Sequence, residues 1–396
     1  MKILIISNYA NGLILFRKEV VSSFIENGAS VIISVPLDEN CSKLESLGAR
    51  VVASHLERRG MNPLKDLRLL LEYCKLLKTE KPDVVLTYTI KPNLYGSLAS
   101  AIKKVPYMMN ITGLGTALEN PGLLGKILLA FYKLVTAKAK FVFFQNSGNM
   151  KFMQDRGIAK RNSNLLPGSG VNLEEHPFAK YPSEENGIRI LAVLRIMKDK
   201  GIEEYFTAAQ IISAKYPHVS FELVGEYEED SREKYEPMIH NLESQGILKY
   251  YGHIDNVPEV MANNHIIVHP SYHEGLSNVC LEAAACGRPV LTTDVAGCRE
   301  TIISDSSANI NCVTDILKNT TNISSEAIPS SELSPSISGI LFPARSSDAL
   351  VSAVETALSY SPEQREQMGI SGRKYIECHF SRQIVVDIYQ KAVHDL

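Results

Sequence analysis

The sequence predicts an α/β protein built from two doubly wound parallel-sheet domains. Three observations carry this. Short apolar runs alternate with longer helical segments along most of the chain, as in βαβ units. That series stops once, in a polar stretch at 168–187 with Gly168, Gly170, Pro177 and Pro182, and then begins again. The length, 396 residues, suits about two to three domains. The expected division is 1–181 and 182–381, with a last helix at 382–396 crossing back onto the first domain.

In the first domain Lys2–Ser7 is an apolar strand. The loop Asn8–Leu13 holds Asn11 and Gly12 and leads into a helix near Ile14–Asn27, then the strand Ser30–Val35. This βαβ opening lacks the Gly-rich dinucleotide fingerprint, which argues against NAD or FAD. A strand near Val51–Ser54, a helix near Pro63–Thr79, the strand Val84–Tyr88, a helix near Leu94–Lys103 and a strand near Tyr107–Asn110 continue the pattern. Ligands of such sheets sit beyond the C-terminal strand ends. Here those ends are Asn8–Gly12, Thr87–Pro92 and Asn110–Gly115. Lys91 stands just past one of them, as a phosphate partner or a solvated charge. The loop Thr112-Gly113-Leu114-Gly115 either approaches a substrate or simply turns.

Gly122–Phe144 mixes Leu, Ile, Phe and Val with Lys126, Lys133, Lys138 and Lys140. Such a helix suits a membrane interface. It also suits a core helix with snorkelling lysines, followed by the strand Phe141–Gln145. Residues 1–180 carry 24 Lys+Arg against 14 Asp+Glu, and the remainder carries 17 against 30. The basic half points to an anionic surface or ligand, or to uneven solubilisation.

In the second domain Ile190–Leu194 is a strand, Gly201–Lys215 a helix, Val219–Val224 a strand, Lys234–Gln245 a helix, Lys249–Tyr251 a strand and Val257–Asn263 a short helix. Arg195 and Lys200 follow a strand end and open a helix, where they suit a diphosphate. The stretch His265–Glu300 is the most informative. Ile266–Val268 is a buried strand closed by Pro270, a loop runs from Ser271 to Leu276, and Ser277 or Asn278 caps a helix through Cys286. Gly287 and Pro289 stop that helix before the strand Val290–Thr293. Glu274 and Glu282 bracket the helix start. Its free N–H groups attract a phosphate, Gly275 permits close approach, and carboxylates accept from sugar hydroxyls. That combination suggests a sugar–diphosphate–ribose ligand. Two solvated glutamates eight residues apart are the plain alternative.

Residues 304–338, rich in Ser, Asn, Thr and Ile, read as a partly disordered surface insertion. Gly339–Pro343 resumes the series, and Ala349–Leu358, Pro362–Cys378 and Ser381–Leu396 are helical. No apolar run reaches the ~18–20 residues that span a bilayer. MKILIIS is too short for a secretory signal. Seven cysteines without metal spacing fit a reduced, cytosolic chain, so Asn319 and Asn322 are not expected to be glycosylated.

With Glu274 and Glu282 in EGLSNVCLE, HPSYHEG before them, EAAACGRPV and AGCRE after, and Arg195 and Lys200 in RIMKDKG, the chain resembles the bacterial family 4 glycosyltransferases of the GT-B fold. In the first domain TIKPNLYGSLAS and ITGLG look like the subgroup that builds O-antigen, capsule and other lipid-linked oligosaccharides. The resemblance implies two facing Rossmann-like domains with a cleft, the first binding acceptor and the second nucleotide sugar. It implies transfer from a UDP-sugar with retention at the anomeric carbon. Glu274 would hold sugar hydroxyls, Glu282 the ribose, and Arg195 and Lys200 the leaving diphosphate. The backbone of Gly275, Leu276, Ser277 and Asn278 would bind phosphate, His253 and Ile254 would lie near the base, and Gly12 would approach the diphosphate. Lys91, Thr112 and Gly113 are the acceptor-side candidates. Two features depart from the family. The ITGLG loop lacks the histidine that many relatives carry there, and the first-loop glycine pair is reduced to Asn11 and Gly12.

No cofactor and no metal is expected, since no Asp-x-Asp pair is placed to hold one. The implied partners are a UDP-sugar, of N-acetylhexosamine or galactose type by the ITGLG region, an undecaprenyl-diphosphate-linked acceptor and an anionic membrane surface. No nucleic acid is expected. The implied location is peripheral, on the inner face of the cytoplasmic membrane. A UDP-sugar epimerase on the same frame and a non-catalytic nucleotide-sugar-binding subunit are the alternatives.

Overall fold

The structure, a computed structural model, describes residues 1–57, 62–114, 118, 122–304 and 337–396. It divides into two compact units, Met1–Gly170 with Arg382–Leu396, and Val171–Ser381. Each contains a parallel sheet, as the alternating pattern requires. Most of the expected insertion, and Gly115 of the ITGLG loop, lie outside the described residues.

The first unit carries strands β1 (Lys2–Ile6), β2 (Ser30–Val35), β3 (Arg50–Ala53), β4 (Val84–Tyr88), β5 (Tyr107–Ile111), β6 (Phe141–Phe144) and β7 (Ser163–Leu165) in the order β3-β2-β1-β4-β5-β6-β7. The strands are near-continuous apolar runs because both faces of the sheet are covered. The chain reverses direction across the sheet beside β1, where β4 pairs on the opposite side from β2. Its core unites Ile3, Ile5, Val20, Phe24, Ile33, Val84 and Leu86 with Val385, Val386 and Tyr389 from the C-terminal helix Arg382–His394.

The second unit carries β8 (Ile188–Val193), β9 (Val219–Val224), β10 (Leu248–Tyr250), β11 (Ile266–His269), β12 (Val290–Thr293) and β13 (Gly339–Phe342) in the order β10-β9-β8-β11-β12-β13. The crossover from β8 to β11 is the switch point of this sheet, and the loops after both strands open at their C-terminal ends.

Three sequence expectations differ from the structure. The first helix begins at Ala10 rather than Ile14, so Asn11 and Gly12 lie in its first turn. The Tyr9 ring occupies the space where a Cβ on Gly12 would stand, 2.4 Å from its nearest ring carbon. Gly12 therefore makes room for a side chain of its own unit.

The unit boundary falls at 170–171 rather than 181–182. Segment 171–181 has the composition of a linker, yet it is fastened to the second unit. Val171 pairs with Ser381, and the buried Arg288 donates to the carbonyls of Ala179 at 2.9 Å and Lys180 at 2.8 Å. Phe178 sits where Gly287 lacks a Cβ.

Thirdly, the helices Cys41–Ser46 and Ser147–Asp155 and the strand β7 were not expected from the sequence. The second of these helices is polar, but Asn146 caps it, accepting from the Asn149 N–H at 2.7 Å.

Candidate active site

The site is built in the second unit around the loops that follow β8 and β11. After β8 the chain reaches a single 3-10 turn, Lys198–Lys200, and then the helix Ile202–Lys215. Gly201 links them at φ +73, and a Cβ there would stand 2.2 Å from the Pro270 carbonyl oxygen. Only glycine allows both the left-handed turn and this approach. The approach brings Lys200 beside the loop after β11. The Tyr272 N–H donates to the Asp199 carbonyl at 2.9 Å, and the Tyr272 hydroxyl donates to Glu204 at 2.6 Å, so the two loops are locked together.

Lys200 Nζ lies 2.5 Å from Glu274 Oε1, and the same oxygen is 2.9 Å from His269 Nε2. Lys200 and Glu274 are largely buried, with side chains 18% and 15% exposed, and His269 is buried. Burial raises the Glu274 pKa, but the His269 hydrogen bond and the Lys200 charge outweigh it and hold the carboxyl well below the usual range. Burial opposes the charge on His269, yet the neighbouring Cys280 thiol and Glu274 raise its pKa overall. The result is an ionised carboxylate held by two donors on one oxygen.

The helix Asn278–Ala285 starts beside this group. Ser277 is its N-cap and accepts from the Cys280 N–H at 3.2 Å. The Ser277 N–H itself donates to the Gly297 carbonyl at 2.7 Å, which withdraws that donor from any phosphate. Gly297, at φ +85, lies against the Glu274 and Gly275 carbonyls, each 2.7 Å from where its Cβ would be. Glu300 accepts from the Gly297 N–H at 2.7 Å, and the Tyr375 hydroxyl donates to the Glu300 carbonyl at 3.1 Å. The AGCRE segment therefore braces the glutamate loop from behind, a role its sequence did not disclose. Burial pushes the Glu300 carboxyl up.

Among the other expected residues, Leu276 is buried in the apolar cluster beneath the helix, so its side chain supports the loop from within. Asn278 Oδ1 is buried and has no hydrogen-bond partner among the described residues. Glu282, on the same helix, lies 4.0 Å from His176. Arg195 is not brought to Lys200 and Glu274: its side chain is 61% exposed and its guanidinium pairs with Glu228 at 2.7 Å. His253 is also exposed, 3.5 Å from Glu226 and 3.7 Å from Asp255, while Ile254 packs on the apolar cluster. Sequence reasoning missed His269 and His176. The HPS tripeptide marks the first, since a histidine ending a buried strand needs a partner.

In the first unit Lys91 pairs with the buried Asp66 at 2.9 Å, an internal ion pair at a strand end. Thr112 and Gly113 follow β5, and both are half-buried. Among the described residues no group of three or more His, Cys, Asp or Glu side chains is arranged to hold a metal.

Two family models match the chain, one on each unit: the 4-like glycosyl transferases over residues 2–146 and the glycosyl transferases group 1 over residues 174–315. An N,N'-diacetylbacillosaminyl-diphospho-undecaprenol alpha-1,3-N-acetylgalactosaminyltransferase of Campylobacter jejuni is 28% identical over 76% of this chain and 83% of its own. The capsular polysaccharide biosynthesis glycosyltransferase CapM of Staphylococcus aureus is 24% identical over 83% of this chain and 80% of its own. The crystal structure of Anabaena HepE in complex with UDP superposes with a TM-score of 0.76 at 16% identity, covering 100% of both chains, a likeness of fold. With one matched domain on each parallel-sheet unit, the chain is a glycosyltransferase of the group 1, family 4-like kind with the GT-B fold.

Proposed function

We propose that the protein transfers a sugar from a UDP-sugar, with retention at the anomeric carbon, to an undecaprenyl-diphosphate-linked saccharide during surface polysaccharide or glycan assembly. The observation that carries the reading is the Lys200–Glu274–His269 group beside the start of the helix Asn278–Ala285. In a family 4-like glycosyltransferase this arrangement suits a donor whose sugar hydroxyls meet Glu274 and whose diphosphate meets Lys200. The names of the Campylobacter relative and of an Escherichia coli alpha-1,3-galactosyltransferase, 24% identical over 60% of this chain and 65% of its own, support a lipid-diphosphate acceptor. They also support a donor of N-acetylhexosamine or galactose type.

In the reaction the bond between the anomeric carbon and the diphosphate oxygen breaks, and a bond from that carbon to an acceptor hydroxyl oxygen forms. The hydroxyl proton leaves with the departing diphosphate or to solvent. Negative charge grows on the diphosphate as it leaves. Lys200 and the helix dipole oppose it, which is electrostatic stabilisation that needs no divalent ion in this reading. Arg195 would join them only by leaving Glu228. Glu282 is the ribose partner in the same reading.

Membrane contact belongs to the proposal as well. The helix Leu123–Thr136 exposes Leu123, Leu124, Ile127 and Leu134 together with Lys126 and Lys133. Exposed leucines among lysines suit an anionic lipid surface, here the inner face of the cytoplasmic membrane, where lipid-linked acceptors and UDP-sugars meet. Among the described residues no helix is long and apolar enough to cross a membrane.

The test is a panel of UDP-sugars with purified protein and lipid-diphosphate-linked acceptors, read by released UDP and by the mass of the product, with and without EDTA. Acceptor-dependent UDP release that survives EDTA is expected. An epimerised UDP-sugar formed without acceptor would overturn the reading. Flotation with anionic liposomes at low salt tests the membrane contact, and failure to float would remove it.

A further inference from the structure

We propose that His269 is the positioning residue of the sugar-binding carboxylate, its Nε2 proton holding Glu274 Oε1 in place while Lys200 gives its charge to the incoming diphosphate. The inference rests on the reading of Glu274 as the sugar contact.

The geometry sets a conflict that His269 resolves. Lys200 and His269 meet on one oxygen, at 2.5 and 2.9 Å. In this state the Lys200 charge is spent on Glu274. A diphosphate that docks beside Lys200 draws the ammonium away from the carboxylate. Lys200 has the mobility to follow, because it sits on a short turn at the end of a flexible four-carbon stem. His269 leaves the largely buried carboxylate a hydrogen-bond donor that stays when the cation moves.

His269 cannot follow. It is the last residue of β11, paired in register with Thr292 of β12. Its carbonyl accepts from the Thr292 hydroxyl at 2.9 Å, and its side chain is buried. Its Nδ1 has no hydrogen-bond partner among the described residues, so the imidazole makes its polar contact through Nε2 to Glu274. Burying a histidine for one hydrogen bond is costly if packing were its purpose, since an aliphatic side chain would fill the place. The bond to Glu274 gives the residue its use.

The test compares His269→Leu and His269→Gln with the wild type by donor kinetics, by titration with UDP and with UDP-sugar separately, and by Tm. Leucine keeps the bulk and removes the donor; glutamine carries an amide N–H near the position of Nε2. For His269→Leu, kcat/KM for the UDP-sugar is expected to fall roughly 10- to 100-fold, as for a misplaced binding group. UDP affinity should fall less than UDP-sugar affinity, because UDP needs the freed Lys200 charge but lacks the sugar that Glu274 holds. His269→Gln should recover most of the loss. Unchanged kinetics in His269→Leu, or UDP and UDP-sugar affinities falling equally, would overturn the proposal. Should His269→Leu not fold, His269→Gln is set against His269→Asn, whose amide falls near Nδ1. Gln active and Asn impaired supports the proposal, and equal activities overturn it. A wild type that turns over no UDP-sugar overturns the functional reading itself, a result distinct from an active wild type with an indifferent His269.

Discussion

The ends of the central strands differ between the two units, and the difference separates scaffold from chemistry. In the first unit several polar side chains of β4, β5 and the turn after β4 bond to one another. Thr87 donates to Asn93 Oδ1 at 2.7 Å, Asn93 to the Asn110 carbonyl at 2.8 Å, and Asn110 to the Thr87 carbonyl at 3.1 Å. The Tyr389 hydroxyl donates to Asn110, and Lys91 is matched by Asp66. In the second unit Lys200 and His269 meet on one carboxylate oxygen, held by loops that approach through glycines. Such connected networks give rigidity. Concentrated charge, kept partly open, gives a ligand something to compete for.

The contrast breaks most sharply at Glu274. Glu274→Ala should lower donor turnover of the folded variant by about 10²–10³-fold and also lower Tm, because it leaves Lys200 and His269 of the same largely buried group unpaired. A fall in stability with retained turnover would reverse the assignment of roles.

Gly297→Val should cost about 3 kcal/mol or more, measured by denaturant unfolding. It forces a β-branched residue to φ +85 and into the Glu274 and Gly275 carbonyls. In the first unit, Lys91→Met should cost about 3 kcal/mol by stranding buried Asp66, and pairing it with Asp66→Leu should restore most of that. Donor turnover of the folded double variant should match the wild type. A specific loss of acceptor use would return Lys91 to the site.

Arg195→Ala is expected to have the smallest effect on stability, below about 1 kcal/mol, since its pair with Glu228 is exposed. A turnover loss above about 10-fold would show that Arg195 leaves Glu228 for the diphosphate during reaction.

A pH series sharpens the same comparison. The His269 pKa is raised above 6.5 in the folded state, so its contribution to stability is full below 6.5 and is lost as pH rises through the raised value. The stability gap between wild type and His269→Gln should therefore narrow towards alkaline pH.

Much of this was legible in the sequence. Unbroken apolar strands and their spacing disclosed both sheets, and the glutamate pair with its helix start marked the candidate site, since those motifs follow from local geometry. What stayed hidden depends on tertiary neighbours. Arg195 and Lys200 look alike in RIMKDKG, yet only the second is carried to Glu274, because Gly201 turns the chain against Pro270. His269 stands one residue past the apolar run that identified its strand, and His176 lies in a segment with the composition of a linker.

The crossing at Arg382 bears on how the chain is made. The second unit is one unbroken stretch, so all of it is synthesised before the helix Arg382–His394. The first unit, begun earliest, waits for that helix: Val385, Val386 and Tyr389 complete its core, and Arg382 reaches Glu19 at 2.6 Å. Synthesis order and completion order are thus reversed for this unit. Until that helix emerges, the nascent first unit lacks the residues that complete its apolar core.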